Sequence, residues 1–335
     1  MSEDIGIDLG TATTIVYIKN KGIVLREPSC VAINKKTKET ICYGKEAKRM
    51  IGRTPSSIEV IRPLENGVIS NFTITAKMLK YFIKKTSTSR FYSSRIMCCV
   101  PAQITEVEKR AVADAVLDTG AKKVFLIGEP VAAAIGAGID ISKPVGNLVI
   151  DIGGGTTDVA VISIGGSVVS TTINTAGDEF DRTIIKYIKN KYNVLIGEES
   201  AEKVKIEAGA VYPKNDKSSV LVRGRNLETS LPEEVEIFSD ELVKVLLPLA
   251  LKIADSVKEV IEKTPPELVE DISEKGIYMT GGGSLIYGID KIIEDATGIK
   301  VMIAEDAISC VAIGTGKALD NLNALETRKR ITDNK

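Results

Sequence analysis

The 335-residue chain contains no histidine and no tryptophan, and only 4% of its residues are aromatic. The absence of histidine excludes Ser-His-Asp and Cys-His nucleophile pairs and the usual zinc sites. The five cysteines are an odd number, lie mostly in apolar strand-like runs and show no C-x-x-C spacing, so they are predicted to be reduced core residues. Any catalysis must therefore use carboxylates, hydroxyls, backbone dipoles or a bound metal.

Long apolar runs and an excess of one charge are also missing. No stretch of about 18 uncharged apolar residues occurs, and the acidic start Met1–Asp4 leaves no room for a signal peptide. We therefore expect a cytosolic chain that does not span a membrane. The net charge of −1 predicts that nucleic acid is not a partner. Apolar and charged contents of 44% and 27% are typical of a soluble globular protein, and the length suggests about two domains.

One short pattern occurs twice, from Ile7 to Val16 and from Ile150 to Val159. In each copy an apolar strand ends in an aspartate, Asp8 or Asp151, and a turn of Gly and Thr leads into a second apolar strand. Backbone N–H groups in such turns bind anions, and the buried carboxylate needs a cation. A Mg²⁺ ion carried with its waters by a polyphosphate would be such a cation. Ordinary hairpins would explain one copy, but the repeated Asp-x-Gly-x-x-Thr-Thr spacing favours a duplicated phosphate clamp.

Strands alternate with helices in both halves, which predicts two α/β layers related by duplication, with the clamps facing each other across a cleft. The predicted strands are 4–9, 14–18, 23–26, 30–34, 96–100, 123–127, 147–152, 157–164, 167–174, 219–223, 233–238, 276–279 and 299–303. The predicted helices are 73–85, 105–119, a small-residue helix after Pro130, 178–192, 200–210, 240–263, 284–296 and 307–323. Pro248 should kink the 240–263 helix or mark its true start.

Three other segments are candidates for the site. Glu129, between a buried strand and Pro130, could position water against a phosphorus atom or simply begin a helix. Asp178 or Glu179 could accept hydrogen bonds from ribose hydroxyls, or serve only the helix that they open. The turn Gly281–Gly283 could admit a base or a phosphate, although the residues alone favour a plain strand-to-helix turn.

Two further features do not by themselves indicate a functional site. Phe91 and Tyr92 lie among basic residues, which suits a membrane–water interface, but the residues alone favour rings packed on their own domain. The pairs Gly136-x-Gly138 and Gly314-x-Gly316 are incomplete as dinucleotide fingerprints, so they predict no phosphate site.

Five segments occur together in this chain, namely IDLGTATTIVYIKNKGIVLREPS, EPVAAAIGAG, DIGGGTTDVAVIS, AGDEFD and TGGGSL. With this combination the chain resembles the MreB family of bacterial actins, from about residue 4 to residue 323. The resemblance implies an actin-like ATPase fold with two duplicated α/β domains, or four subdomains, around a nucleotide cleft. Residues 1–140 would form domain I, with a C-terminal helix at 307–335 packing back on it, and residues 141–306 would form domain II. ATP or ADP with Mg²⁺ would occupy the cleft.

The same resemblance assigns roles to individual residues. Glu129 and Thr156 would activate water, and Asp8 and Asp151 would hold Mg²⁺ through water. The implied nucleotide contacts are Asp8, Gly10, Thr11, Ala12, Thr13 and Thr14 in the first loop, Asp151, Gly153, Gly154, Gly155 and Thr157 in the second, Gly177, Asp178 and Glu179 at the ribose, Glu202 and Lys205 beside the adenine, and Gly281, Gly282 and Gly283 in the third loop. Thr13 stands where the family usually has Asn, and Gly128 where a second Glu is common.

The implied function is that of a weakly hydrolysing cytoskeletal ATPase. It would form double protofilaments with itself at the inner face of the cytoplasmic membrane, reach the lipid through Phe91 and Tyr92, and act with cell-wall synthesis and shape-determining membrane proteins to maintain a rod shape. A small-molecule kinase would need an acceptor pocket and a base aimed at it, and a chaperone ATPase would need a peptide-binding domain. Both alternatives share the two clamps.

Overall fold

The computed structural model describes residues 4–86, 95–214 and 218–319. The first half contains β1 (Asp4–Leu9), β2 (Thr13–Ile18), β3 (Gly22–Pro28), β4 (Val31–Asn34), β5 (Thr40–Tyr43), α1 (Lys45–Lys48), β6 (Ile58–Ile61), β7 (Leu64–Glu65), β8 (Val68–Ile69), α2 (Phe72–Thr86), β9 (Arg95–Val100), α3 (Glu106–Leu117), β10 (Lys123–Gly128) and α4 (Glu129–Gly136). The second half contains β11 (Asn147–Ile152), β12 (Thr157–Ser163), β13 (Gly166–Ile173), α5 (Gly177–Tyr192), β14 (Val194–Leu195), α6 (Glu198–Ala208), β15 (Ser219–Asn226), β16 (Pro232–Phe238), α7 (Ser239–Glu262), α8 (Pro266–Lys275), β17 (Ile277–Thr280), α9 (Ile289–Thr297) and β18 (Val301–Ile303), followed by helical residues 310–319.

Each half is built on a five-stranded sheet of the same design. The strand orders are β3-β2-β1-β9-β10 and β13-β12-β11-β17-β18. In both sheets the first three strands pair antiparallel, and the last three pair parallel. Each sheet has its own buried apolar cluster, centred on strand residues such as Ile7 in one half and Ile150 in the other. The predicted duplication is therefore confirmed at the level of topology.

Smaller sheets accompany the two main ones. The order β5-β4-β6 forms one three-stranded sheet beside α1, and β14-β15-β16 forms another beside α6. The sequence prediction missed β5, β6, the two-residue strands β7, β8 and β14, and the helices α1 and α8. Most of these elements are too short to show a period, and α1, β4 and β5 are held by packing around Cys30, Ala32 and Ala47.

One helix prediction was wrong in detail, and one of two alternatives was excluded for another helix. The predicted helix 284–296 is divided into a 3₁₀ turn, Gly282–Leu285, and α9. The break falls at Gly288, which has φ 86° and faces Tyr212, where an added Cβ would lie 2.1 Å from the Tyr212 Cβ. Helix α7 begins at Ser239 and continues through Pro248, so the proline does not mark its start.

A pair of helices lies at the junction of the two halves, where α4 contacts β9 and β10 of the first sheet and β11 and β12 of the second. Helix α4 follows β10, and the helical residues 310–319 follow β18, so the two helices occupy equivalent places in the duplication. An ideal Cβ on Gly136 would lie 1.8 Å from the carbonyl oxygen of Cys310, and one on Gly314 would lie 1.8 Å from that of Ala132. The two Gly-x-Gly segments thus act as reciprocal contact points, because only glycine allows the backbones to approach so closely.

The end of the described chain packs on the first sheet. Leu319 is fully buried beside Met97 of β9, and an added Cβ on Gly316 would lie 2.0 Å from the ring of Tyr17 in β2. Residues 320–335 lie outside the described residues, and the domain limits at 140 and 306 stay a prediction. In the three described ranges, no helix combines the length and hydrophobicity needed to cross a membrane.

We predict that Gly314→Ala lowers the free energy of unfolding by about 3 kcal/mol, because the new methyl group must force the two helices apart. Urea unfolding followed by circular dichroism measures the change. The matched control is Gly166→Ala, where an added Cβ meets nothing within 4 Å. Equal stabilities for the two variants would contradict the close packing of these helices.

Candidate functional site

The two glycine-threonine turns touch each other at the floor of a cleft between the halves. An ideal Cβ on Gly154 would lie 2.5 Å from the Ala12 Cβ, and one on Gly155 would lie 2.5 Å from the Thr11 hydroxyl. Both turns are closed by the same type of backbone bond, from Gly10 N to Thr13 O at 3.2 Å in one copy and from Gly153 N to Thr156 O at 2.9 Å in the other. The turns therefore present their backbones to one shared space.

The cleft has a volume of about 520 Å³ and is lined by both halves. Most of the predicted site residues line it, namely Asp8, Gly10, Thr11, Ala12, Thr13, Glu129, Asp151, Gly153, Gly154, Gly155, Thr156, Gly177, Asp178, Glu202, Lys205, Gly281, Gly282 and Gly283. The turn at Gly281–Gly283 thus opens into the same space as the two clamps.

Three predicted site residues do not line the cleft. The Thr14 hydroxyl pairs with that of Ser29 at 2.8 Å, and the Thr157 hydroxyl donates to Thr175 O at 2.7 Å. Both threonines are fully buried, so they support the turns from behind. Glu179 accepts two hydrogen bonds from the Arg182 guanidinium. Their assignment as nucleotide contacts stays a prediction. Phe91 and Tyr92 lie outside the described residues.

The two turn aspartates have environments suited to a hydrated cation. Burial raises the pKa of Asp8 to about 6, although a hydrogen bond from Cys99 and the positive charge of Arg26 each lower it. Burial also raises the pKa of Asp151 to about 7, although Asp151 accepts a 2.6 Å hydrogen bond from the Thr280 hydroxyl. No group of three His, Cys, Asp or Glu side chains suited to a metal occurs among the described residues. The pair therefore fits Mg²⁺ that keeps most of its waters or phosphate oxygens, rather than an ion held by protein ligands alone.

Glu129 and Thr156 both line the cleft and are both buried. Glu129 is the first residue of α4, and Thr156 closes the second turn. Glu129 is 9% exposed and Thr156 is 5% exposed. Burial raises the pKa of Glu129 well above its ordinary value, and the charges of Asp158, Asp151 and Asp8 raise it further. The Cys99 thiol lies between two of these acids, 3.4 Å from Asp8 Oδ1 and 4.0 Å from Glu129 Oε1.

The outer part of the cleft is crossed by ion pairs. Arg62 of the first half contacts Glu198 at 2.9 Å and Asp178 at 3.5 Å, and Lys48 contacts Glu202 at 2.5 Å. Lys205 stays within the second half, where it donates to Gly177 O at 3.0 Å and to Asp181 at 2.8 Å. Glu202 and Lys205 therefore line the cleft with different partners, one across the opening and one beside α5.

Several lining residues were missed by the sequence analysis. The apolar ones near the outer part are Ile51, Ile185, Ile206, Leu285 and Ile286, and the basic ones from the first half are Lys48 and Arg62. Ile206 lies one helical turn after Glu202 on α6, so it could have been found from that spacing. Lys48 and Arg62 belong to or follow elements of four residues, and no motif marked them.

The model of the MreB/Mbl protein family matches residues 2–327. The chain is 48% identical over 328 residues to a cell shape-determining protein Mbl of Bacillus cereus, which covers 98% of both chains. It is 46% identical over 328 residues to a cell shape-determining protein MreB of Escherichia coli, covering 96% of this chain and 94% of the relative.

Solved structures agree with the sequence comparisons. The crystal structure of MreB 5 of Spiroplasma citri bound to AMPPNP has a TM-score of 0.91 and 38% identity, covering 100% of this chain and 99% of its own. The MamK double helical filament has a TM-score of 0.81 at 20% identity, covering 96% of this chain and 99% of its own. The fold is therefore the actin-like ATPase fold.

We predict that Arg62→Gln speeds hydrogen exchange in α6 by up to about threefold, because the variant loses two ion pairs across the cleft. The effect should be small, since each exposed ion pair contributes little to stability. Hydrogen–deuterium exchange at low salt measures the effect, which should shrink at high salt as the charges are screened. Arg223→Gln is the control, since the 2.6 Å pair of Arg223 with Glu234 lies within the second half. An α6 that exchanges equally in both variants would contradict the proposed restraint.

Proposed function

Because the chain belongs to the MreB/Mbl family, we propose that it binds and hydrolyses ATP with Mg²⁺ and polymerises into filaments that determine rod cell shape. The observation that carries this proposal is the contact of the two turns, Gly154 on Ala12 and Gly155 on Thr11, beneath a cleft that contains Asp8 and Asp151. Two anion-binding turns and two acids in one space suit a polyphosphate that arrives with its cation.

The phosphates would lie between the turns, where backbone N–H groups and the hydroxyls of Thr11 and Thr13 can donate to them. Asp8 and Asp151 would hold Mg²⁺ through its waters, and the ion would neutralise charge on the phosphates. At the outer end, Asp178 would accept hydrogen bonds from the ribose. The adenine would lie against Ile206 and Leu285, which are 74% and 57% exposed without it.

Hydrolysis would depend on Glu129 and Thr156. Both side chains can orient a water molecule for in-line attack on the γ-phosphorus, and the N–H groups of the turns are placed to stabilise the charge that develops. Slow turnover suits a filament subunit, in which hydrolysis acts as a timer. A small-molecule kinase is not favoured, because the family comparisons lead to cell shape-determining proteins.

The proposed partners are other copies of the chain, the cytoplasmic membrane and the membrane proteins of cell-wall synthesis and shape determination. Likeness to the MamK double helical filament in fold and to shape-determining relatives in sequence supports self-assembly. Phe91 and Tyr92 are the proposed lipid contacts on the inner face of the membrane. We also propose domain I as 1–140 with 307–335, and domain II as 141–306.

We expect the purified chain to sediment as polymer when ATP and Mg²⁺ are added. We also expect the Glu129→Gln variant to hydrolyse ATP at about one hundredth of the rate of the unchanged chain, or more slowly still. The variant keeps the size of the side chain, so its nucleotide affinity should stay close to that of the unchanged chain. Pelleting, phosphate release and calorimetry measure the three quantities. A chain that stays monomeric with ATP on liposomes, or that transfers phosphate to a metabolite, would exclude the filament function.

The affinity for Mg²⁺-nucleotide is expected to fall about tenfold between pH 8 and pH 6. The raised pKa of Asp151, about 7, means that this carboxylate is mostly ionised at the upper pH and mostly protonated at the lower. The folding stability of the ligand-free chain should change with pH in the opposite direction. A raised carboxyl pKa favours the folded state at low pH, and this contribution to stability is lost as the pH rises through about 7.

Calorimetry with ADP and Mg²⁺ across this pH range makes the measurement. Asp151→Asn should bind more weakly and keep only the pH dependence that comes from the nucleotide and from Asp8, whose pKa is about 6. Equal pH dependence in the two proteins would contradict the role of Asp151.

A further inference from the structure

Asp178 presents to the cleft a carboxylate whose hydrogen-bonding capacity the protein does not use. It is the second residue of α5, it lines the cleft, and its side chain is 20% exposed. Among the described residues, none donates a hydrogen bond to either of its carboxylate oxygens. The neighbouring Glu179, by contrast, accepts two hydrogen bonds from Arg182. An ionised carboxylate only accepts hydrogen bonds, so these free oxygens suit a ligand that offers hydroxyl donors.

The backbone around Asp178 is tied to the second glycine turn. Gly177 N donates to Gly153 O at 3.1 Å, and Asp178 N donates to Gly154 O at 2.8 Å. These two bonds hold the start of α5 against the turn that is proposed to bind the phosphates. The sugar of a bound nucleotide, which follows its phosphates, would therefore meet this end of α5.

The carboxylate of Asp178 is held by a residue of the opposite half. Arg62 follows β6 in the first half, and its Nη1 lies 3.5 Å from Asp178 Oδ2, while its Nη2 donates to Glu198 at 2.9 Å. One planar guanidinium thus spans two carboxylates, which fixes its orientation. Burial raises the pKa of Asp178, and the charge of Arg62 is the largest influence that lowers it. Arg62 therefore both orients this carboxylate and favours its ionised form.

A second arginine crosses the opening without reaching Asp178. Arg53 of the first half pairs with Glu199 at 2.9 Å, and these two side chains are 65% and 61% exposed. Arg53 does not line the cleft, whereas Arg62 lines it and is 35% exposed. Both arginines thus connect the halves through α6, but only the contact of Arg62 with Asp178 lies beside the space that a ligand would fill.

On the premise of the proposed function, we propose that Arg62 is a positioning residue for ribose recognition, supplied by the half opposite to the one that carries Asp178. Arg62 holds Asp178 Oδ2, which leaves Oδ1 to accept hydrogen bonds from the ribose hydroxyls. The chain then selects nucleotides that carry these hydroxyls over nucleotides that lack them. Because Arg62 and Asp178 belong to different halves, this selection exists only while the cleft is closed.

The test compares ADP with 2′,3′-dideoxy-ADP, both with Mg²⁺, by calorimetry on the full chain. The ratio of the two dissociation constants is the ribose selectivity. We expect the unchanged chain to bind the dideoxy analogue about thirtyfold more weakly or worse, because a charged acceptor loses its donors. Arg62→Gln should lower the ribose selectivity at least about fivefold. In the Asp178→Ala background the same substitution should change it less than about twofold, because the acceptor is already absent.

Two further arginine variants separate positioning from closure and from charge. Arg53→Gln also removes an ion pair between the halves, but it should keep the ribose selectivity within about twofold of the unchanged chain. Arg62→Lys keeps the positive charge, yet an ammonium group lacks the planar fork that spans Asp178 and Glu198. Arg62→Lys should therefore lose ribose selectivity as Arg62→Gln does, and it carries the test if Arg62→Gln does not fold.

The outcomes separate the inference from the proposed function. Full ribose selectivity in Arg62→Gln or Arg62→Lys, or an equal loss of it in Arg53→Gln, overturns the positioning role of Arg62. An unchanged chain that binds ADP and its dideoxy analogue equally well also overturns this role, while its affinity for ADP keeps the proposed function. A chain that binds neither nucleotide with Mg²⁺ overturns the proposed function itself.

Discussion

Three carboxyl groups line the floor of the cleft and a fourth is buried behind it, and the rest of the structure depends on how their charge is balanced. Asp8, Asp151, Glu129 and Asp158 all have a raised pKa, with burial as the first cause in each. Such a group of acids is unfavourable without a cation. A bound Mg²⁺ ion would therefore stabilise the folded chain as well as the nucleotide, and this linkage would couple occupancy of the cleft to the arrangement of the two halves.

The two halves are connected with different strength at the floor and at the opening of the cleft. At the floor the turns are in van der Waals contact, and behind them α4 packs against residues 310–319 through glycine contacts. At the opening, Arg53 and Arg62 reach α6 through ion pairs that are partly or largely exposed to solvent, and such pairs contribute little in water. The site therefore has a close-packed base and an opening that can change at small cost, as binding and release of a large ligand require.

The sequence was sufficient where a local pattern matches a local structure. The strands 4–9 and 147–152 were predicted with the bounds that β1 and β11 have, because an apolar segment ends in Asp-x-Gly in each case. The break before α9 could not be predicted, because it depends on Tyr212, far away in the chain, filling the space beside Gly288. Nor could Lys48 or Arg62 be assigned, since their position at the opening results from packing of the small sheet.

The remaining differences lie between the two copies of the duplication. Both copies keep an aspartate, a glycine turn and a helix with a Gly-x-Gly contact, which together give a symmetric grip. Seven residues before Gly136 stands Glu129, whereas seven residues before Gly314 stands Ala307. Likewise, Asp158 faces Asp151 where Ile15 faces Asp8. Acidic groups thus occur on one side of each equivalent pair. In-line attack is directed by the nucleotide, because the water must approach opposite the leaving oxygen, and the proposed water-orienting acid Glu129 stands on only one side of the duplication.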